Sequence, residues 1–373
     1  MSRRDMVEAL RSRVETGEFT REFPLPSERV LGDRFGAHRT TVRRALQQLT
    51  EEGVLRREGR RIMVTAEPKG WLSETAALIV PPPNEFHDAD TWRRWSQYIT
   101  LNLSRAIDES GLNALTLNAG QLTSETLTKL AQQRPMGMLI PEVFGLNTKA
   151  VRELCDTVRD HGLRLVVGGG DPRFQPFDRV ASDHEHGGYI LTKAMIEAGC
   201  RKLACVWAPP LERYWLKDRR RGAERACAEM GVEPPVLWRI PHTVPLTTRE
   251  SFDEYVRLVA GSLLSEAGPA LEIDGTGVDG VMLTSDRGTF AAAAALRLFG
   301  KQPGADVLIG GYDNVYGLCE EAQFEPSVPH LTVDKHNAQM GTQMLKLLGE
   351  RAAGSLPDEP QLRMVEPELV STS

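Results

Sequence analysis

The stretch Leu25–Leu55, LPSERVLGDRFGAHRTTVRRALQQLTEEGVL, leaves the chain few ways to fold. Val42, Ala45, Leu46 and Leu49 recur at i, i+3, i+4 and i+7, the apolar stripe of a helix. Thr40, Arg43, Arg44 and Gln47 point away from that stripe, and Arg39 stands at its entrance. Upstream, Pro26-Ser27 reads as an N-cap opening a helix through Val30, Leu31 and Phe35, which Gly36 ends. Two helices about a glycine turn, the second with Arg and Thr at its N-terminal end, have helix-turn-helix geometry. Val54–Arg57 and Ile62–Val64 then read as two short strands around Glu58-Gly59-Arg60-Arg61, a hairpin with a basic tip. That makes a winged helix. Surface arginines are usually only solvated, but here the cluster, the turn and the wing coincide, so DNA is the expected partner.

These residues resemble the DNA-binding domain of GntR-family bacterial regulators, whose pattern runs LPSER, then FG, then R-x-TV-R-x-AL. The match covers Leu25 to about Val64 without gaps. It implies DNA contacts at Arg29, His38, Arg39, Thr40, Thr41, Arg43 and Gly59. Arg44 on the exposed face and Arg60 and Arg61 of the wing complete the expected set. His38 stands where the family usually has Ser or Thr, and Arg61 replaces a common wing glycine. Both departures bear on the operator sequence and not on the fold.

At 373 residues the chain is too long for one ordinary core. A net charge of −6 alone would argue against nucleic acid, but its distribution reverses that. Residues 1–65 hold fourteen Arg and ten acidic residues, a net +4, so the remainder carries −10. A basic head can hold phosphates while an acidic body stays off the DNA. The opening MSRRDMVEALRSR is an amphipathic helix and not a signal peptide, and no apolar run reaches membrane-spanning length. The five cysteines are scattered and form no C-x-x-C, which fits reduced thiols in a cytoplasm.

Ala66–Thr75 is a polar connector whose Pro68 and Gly70 prevent a continuous helix, so the expected division is 1–65, a linker 66–75, and a body 76–373. In the body, apolar strands alternate with amphipathic helices from Ala76–Val80 to Val307–Gly310. Helices are expected to begin at Gly188 and Arg219, among others. This is an α/β pattern of parallel, doubly wound sheets, more economically two lobes than one.

The body resembles the effector-binding domain of LacI/GalR-type repressors, itself similar to periplasmic sugar-binding proteins. The carrying stretches are VASDHEHGGYILTKAMIEAGCRKLACV, RRRGAERACAEMGV, VDGVMLTSDRGTFAAAAALRLFG, GADVLIGGYDN and PHLTVDKHNAQMGTQMLKLL. It is looser in the first half, with a small insertion at Pro82–Thr91 and an irregular loop at Gly268–Gly277. A GntR head on a LacI-type body resembles arabinose-repressor-type regulators. The resemblance implies an effector cleft between lobes, with Arg219 of R-x-x-G donating to hydroxyls and Asp286 and Asp313 accepting from them. Asp183 matches another lining position but doubles as a helix N-cap, and Trp95 is placed to stack on a sugar face. Bland alternatives stay open: Asp286 and Asp313 as caps or turn formers, Arg220 or Arg221 pointing inward, and Trp95 in a core or interface.

Three signals are discounted. Asp183-His184-Glu185-His186 has ligand-type residues, but adjacent positions at a helix start rarely converge on one metal. Gly168-Gly169-Gly170 lacks a dinucleotide or P-loop continuation. No nucleophile elbow or lysine-anchored cofactor motif appears, so neither catalysis nor a cofactor is expected. The expected function is a cytoplasmic, effector-controlled transcription factor, acting as a repressor and binding operator DNA as a homodimer, with a sugar as effector and no metal. The competing reading is a sugar-binding receptor without a regulatory role.

Overall fold

The computed structural model describes residues 2–372 apart from 21–22, 60, 66–71, 81–89, 120–121, 142–147, 208–212, 242–247 and 268–276. The head comprises α1 (Arg3–Glu15), α2 (Glu28–Phe35), α3 (Arg39–Glu51) and the antiparallel pair β1 (Leu55–Glu58) and β2 (Arg61–Val64). Ser2 and Asp5 form a reciprocal capping box at the start of α1. Ser27 caps α2, and Gly36 closes it in the left-handed conformation. The apolar stripes of the three helices meet in one core, where Met6, Leu10, Leu31, Val42 and Leu49 lose all contact with solvent. The wing is tighter than its sequence suggests: Glu58 pairs with Arg61, so the strands run to a two-residue tip.

Two six-stranded sheets form the body. The first orders β13 (Leu362–Val365), β7 (Asp178–Ser182), β6 (Leu165–Gly168), β5 (Gly137–Ile140), β3 (Thr75–Val80) and β4 (Asn113–Asn118). The second orders β14 (Glu368–Ser371), β12 (Leu331–Asp334), β11 (Leu308–Gly310), β10 (Gly280–Leu283), β8 (Leu203–Trp207) and β9 (Val236–Arg239). Among the described residues of the body, all pairings between these strands are parallel except β12 with β14. The central strands β5, β6, β8 and β10 are buried at every residue, as sheets covered by helices on both faces require.

The chain passes between the sheets three times. It leaves β7 for α7 (His184–Glu197), which packs on α8 (Tyr214–Met230) and on β12 of the second sheet. It leaves β12 for α11 (Asn337–Ala352), which returns to β5, β6, β7 and α4 (Asp90–Glu109) of the first. It crosses last from β13 to β14. Strands β7, β12, β13 and β14 and helix α11 were not singled out in the alternation read from the sequence, and they are the elements that tie the lobes together.

Other departures have local causes. Leu72 is buried against the first sheet's core and β3 begins at Thr75, so the end of the expected linker 66–75 is already body; residues 66–71 lie outside the described residues. Most of Pro82–Thr91 and Gly268–Gly277 lies outside them too. Helix α7 starts at His184 and not Gly188, because Asp183 caps it and Gly187 and Gly188 are accommodated within the helix. Helix α8 starts at Tyr214 and not Arg219, with Trp215 and Leu216 buried in its first turn. Arg219 is therefore a second-turn residue and not, as expected, a helix start.

Candidate nucleic-acid interface and inter-lobe cleft

On the head, α3 leaves Arg39, Thr40, Arg43, Arg44 and Gln47 exposed, with Thr41 half-buried, while Arg29 is exposed on α2. His38 is the N-cap of α3: its Nδ1 accepts from the Thr40 amide at 3.4 Å and lies 2.9 Å from the Thr40 hydroxyl. The imidazole thus does what a Ser or Thr hydroxyl does at a helix start. Gly59 has φ +61°, the left-handed backbone that so short a hairpin demands at its tip. Arg61 is exposed in β2, and Arg60 lies outside the described residues.

Sequence reasoning missed Glu28. Its carboxylate accepts from Arg43 Nε at 3.0 Å and NH2 at 2.8 Å, and from Arg39 Nε at 3.0 Å. Hydrogen bonds from Arg43, and then from Arg39, hold the carboxyl down at about 2 against the opposing effect of burial. The available signal is the acid of the SER triplet, one residue before Arg29.

In the body, the ends of β7, β10, β11 and β12 face α7 and α8, and Arg219 is the centre of that space. The close approach of α7 and α8 puts it there. A Cβ on Gly222 would sit 1.9 Å from the Glu185 carbonyl oxygen, and one on Gly188 would sit 2.1 Å from that of Arg219. The glycine of R-x-x-G is thus what lets α8 press its arginine inward. Arg219 NH1 donates to the Thr284 carbonyl at 2.8 Å and Nε to His184 Nδ1 at 3.4 Å, while NH2 lies 3.8 Å from Asp313 Oδ1. Its guanidinium carbon is 3.3 Å from the Tyr312 ring centroid and 4.6 Å from that of Trp215. Arg220 and Arg221 pair with Glu224, Asp218 and Glu185 outside this centre.

His184 is buried among Tyr214, Trp215 and Tyr312, and burial, then the charges of Arg219 and Lys335, push its pKa well below the ordinary value. It is neutral, with Nδ1 accepting. Lys335 Nζ lies 3.4 Å from Asp313 Oδ1. Among the described residues the buried Trp215 Nε1 and Ser285 Oγ have no hydrogen-bond partner, and Asp313 Oδ1 has only its ion pairs with Lys335 and Arg219. Unspent donors and acceptors beside a guanidinium suit a small polar ligand.

The two aspartates do different things. Asp286 has no accessible surface. Its Oδ2 accepts from the amides of Val315 at 2.7 Å and Tyr316 at 3.1 Å, and its Oδ1 bonds the Thr332 hydroxyl at 2.6 Å. Burial, opposed by these bonds, pushes its carboxyl up to about 7. The two amides belong to the loop that carries Asp313, which sits at φ +102° with Asn314 at φ +54°. Such backbone persists only where neighbours over-determine it, and Asp286 is such a neighbour. The expected direct ligand contact at Asp286 thus meets a carboxylate already occupied as a clamp, the turn-former alternative left open above.

Asp183 is half-buried and caps α7, accepting from the His186 amide at 2.8 Å. Trp95 falls within α4, but its side chain lies outside the described residues. The residues of Asp183-His184-Glu185-His186 diverge: Glu185 pairs with Arg221 and Arg225, and His186 faces Glu366. The glycines at 168–170 also have a packing role. A Cβ on Gly168 would meet the Pro141 carbonyl at 2.1 Å, and one on Gly169 the Tyr214 hydroxyl at 2.8 Å. That hydroxyl accepts from the Gly170 amide at 2.7 Å, joining the first lobe to the start of α8 across the cleft. His184, Tyr214, Trp215, Thr284, Tyr312 and Lys335 were all missed as site residues. Trp215 precedes Arg219 by one helical turn, which was a usable signal.

The bacterial regulatory proteins of the gntR family match residues 3–64. The HTH-type transcriptional regulator CelR of Thermobifida fusca is 27% identical over 339 residues, covering 90% of this chain and 88% of that one. The HTH-type transcriptional repressor NagR of Bacillus subtilis (strain 168) is 41% identical over 64 residues, 17% of this chain and 26% of that protein. Among solved structures, a LacI family transcriptional regulator from Enterococcus faecium with bound ribose superposes with TM-score 0.56 at 17% identity, over 80% of this chain and 97% of that one. At that identity the likeness is one of fold. A GntR-family DNA-binding head on a body of LacI-type fold makes this chain a bacterial transcriptional regulator.

Proposed function

We propose that the chain is an effector-controlled repressor of the cytoplasm, organised as a DNA-binding head at 1–65, a connector at 66–71 and an effector-binding body from Leu72 onward. Exposed Arg29, Arg39, Thr40, Arg43 and Arg44, with Thr41, the His38 cap and the wing at Gly59, Arg60 and Arg61, take one operator half-site. One helix-turn-helix unit buries too little surface for tight specific binding, so two copies act as a homodimer. In the body, Arg219 and Asp313 bind the hydroxyls of a sugar-sized molecule, with Asp183 beside them and Asp286 holding the Asp313 loop; Trp95 keeps the sugar-stacking role that the resemblance implies. The observation that carries this reading is Arg219, desolvated, held by Thr284 and His184, and surrounded by unspent polar atoms. The ribose bound to a regulator of the same fold supports the ligand class.

The test is a thermal-shift screen of the full chain against neutral mono- and disaccharides, followed by operator anisotropy with the best binder. A binder should raise the melting temperature of the chain and leave Arg219→Ala unmoved. A sugar that stabilises both equally binds elsewhere, and the cleft assignment falls. Sedimentation of the full chain at micromolar concentration should give a dimer; a monomer there would confine pairing to the operator.

A further inference from the structure

We propose that Glu28 is the specificity-determining positioning residue of the DNA-binding head. It fixes Arg39 and Arg43 side by side for base reading and keeps one negative charge on the surface that meets phosphate. The inference rests on the reading of α3 as the recognition helix.

The geometry is particular. Glu28 grips Arg43 through the Nε and NH2 edge of the guanidinium. That side-on fork leaves the NH1/NH2 end free, the edge that pairs bidentately with guanine O6 and N7. Arg39 is held through Nε alone, to the same carboxylate, so its end is free as well. Arg39 and Arg43 remain 66% and 58% exposed while Glu28 is 19% exposed, so the acid lies beneath and the two guanidinium ends lie outward. Two long side chains that would otherwise sample many rotamers are ordered before DNA arrives, which lowers the ordering cost of binding. The same carboxylate works against indiscriminate binding, because its charge repels any phosphate backbone whatever the sequence. Positioning and repulsion therefore have opposite signs on specific and non-specific affinity.

That opposition is the test. Full-length protein is titrated, by fluorescence anisotropy, on a duplex selected from random DNA and on its scrambled counterpart. Glu28→Gln should weaken binding to the selected duplex by about tenfold, the scale of a good bidentate base contact. It should strengthen binding to the scrambled duplex by roughly two- to threefold, as removal of one solvent-screened charge allows. Glu28→Asp keeps the charge at the start of α2 but is one methylene too short to hold both arginines. It should weaken the selected duplex and leave the scrambled one unchanged. Equal strengthening of both duplexes by Glu28→Gln would make Glu28 a plain electrostatic brake and overturn the proposal. Equal weakening of both, with a lower melting temperature for the head, would reduce it to a helix-end residue. Arg43→Ala is run beside them: if it weakens the selected duplex while Glu28→Gln does not, the proposal alone fails. If Arg43→Ala is silent, the recognition-helix reading fails and takes the proposal with it.

Discussion

The head and the cleft are both centred on arginine, but they hold it differently. In the head, Arg39 and Arg43 lie in solvent and find their common partner Glu28 only 11 and 15 positions away. In the cleft, Arg219 is removed from water and its partners His184 and Thr284 lie 35 and 65 positions away, on separate elements. In the proposed reading the exposed pair meets a partner that brings its own charge, a contact sensitive to salt. The buried arginine acts where water screens little, so every neighbour has to be placed. One site is assembled from two helices adjacent in sequence; the other exists only once two helices and four strand ends distant in sequence have met.

The difference predicts that packing changes should damage the cleft far more than the head. Gly222→Ala is expected to have the largest effect, about 3 kcal/mol or more of body stability, because the added methyl meets backbone and not a flexible side chain. All six tryptophans lie beyond residue 65, so urea unfolding followed by tryptophan fluorescence reports the body without the head. Unchanged stability would mean that the helices need not approach so closely.

Asp286→Ala should cost roughly 2–3 kcal/mol by leaving two amides and a hydroxyl unpaired. Asp286→Asn, which can accept from both amides and donate to Thr332, should cost much less. Full stability of the alanine variant together with lost effector binding would restore a direct ligand role to Asp286.

In the head, Arg39→Ala and Arg43→Ala should each weaken operator binding by ~1–3 kcal/mol while leaving tryptophan-detected unfolding unchanged. Anisotropy on operator and scrambled duplexes checks this, and operator affinity preserved in both variants would break the contact assignment.

The smallest effect is on pH dependence. His184 is depressed in the folded body, so the unfolded chain binds the proton first as pH falls below about 6.5. Stability contributed by the neutral ring is complete above that value and is lost as pH falls toward its folded pKa, by at most about 1.4 kcal/mol per pH unit. Asp286 slopes the other way, since its folded carboxyl at about 7 favours the native state increasingly as pH falls toward 4. The two slopes oppose each other between pH 7 and 5.5, so urea melts of the parent chain should change little there. His184→Gln, which leaves Asp286 unopposed, should gain stability as pH falls; a profile unchanged by that variant would remove His184 from the balance.

Much of the head was legible because helix stripe, caps and turn are short-range properties. Ser27, Gly36 and the Val42–Leu49 stripe act within a few residues of themselves. Glu28 was not legible because its side chain crosses from α2 to α3, and nothing in either helix alone announces that crossing. In the body, Arg219, Asp286 and Asp313 were found through motifs, but the motifs carry position and not orientation. Asp286 and Asp313 both follow strands, and only burial and hydrogen bonding separate the clamp from the residue it holds.

The sequence by itself determined the winged helix, the alternating α/β body and the basic head on an acidic chain, since periodicity and charge need no knowledge of distant neighbours. Tertiary structure decided that Gly222 admits Arg219 to the cleft, that Tyr214 reaches Gly170 across it, and that the carboxylate of Asp286 is already taken. Those outcomes depend on which surfaces are brought within a few ångströms of one another, and there a single Cβ or one desolvated hydrogen bond settles what a side chain can do.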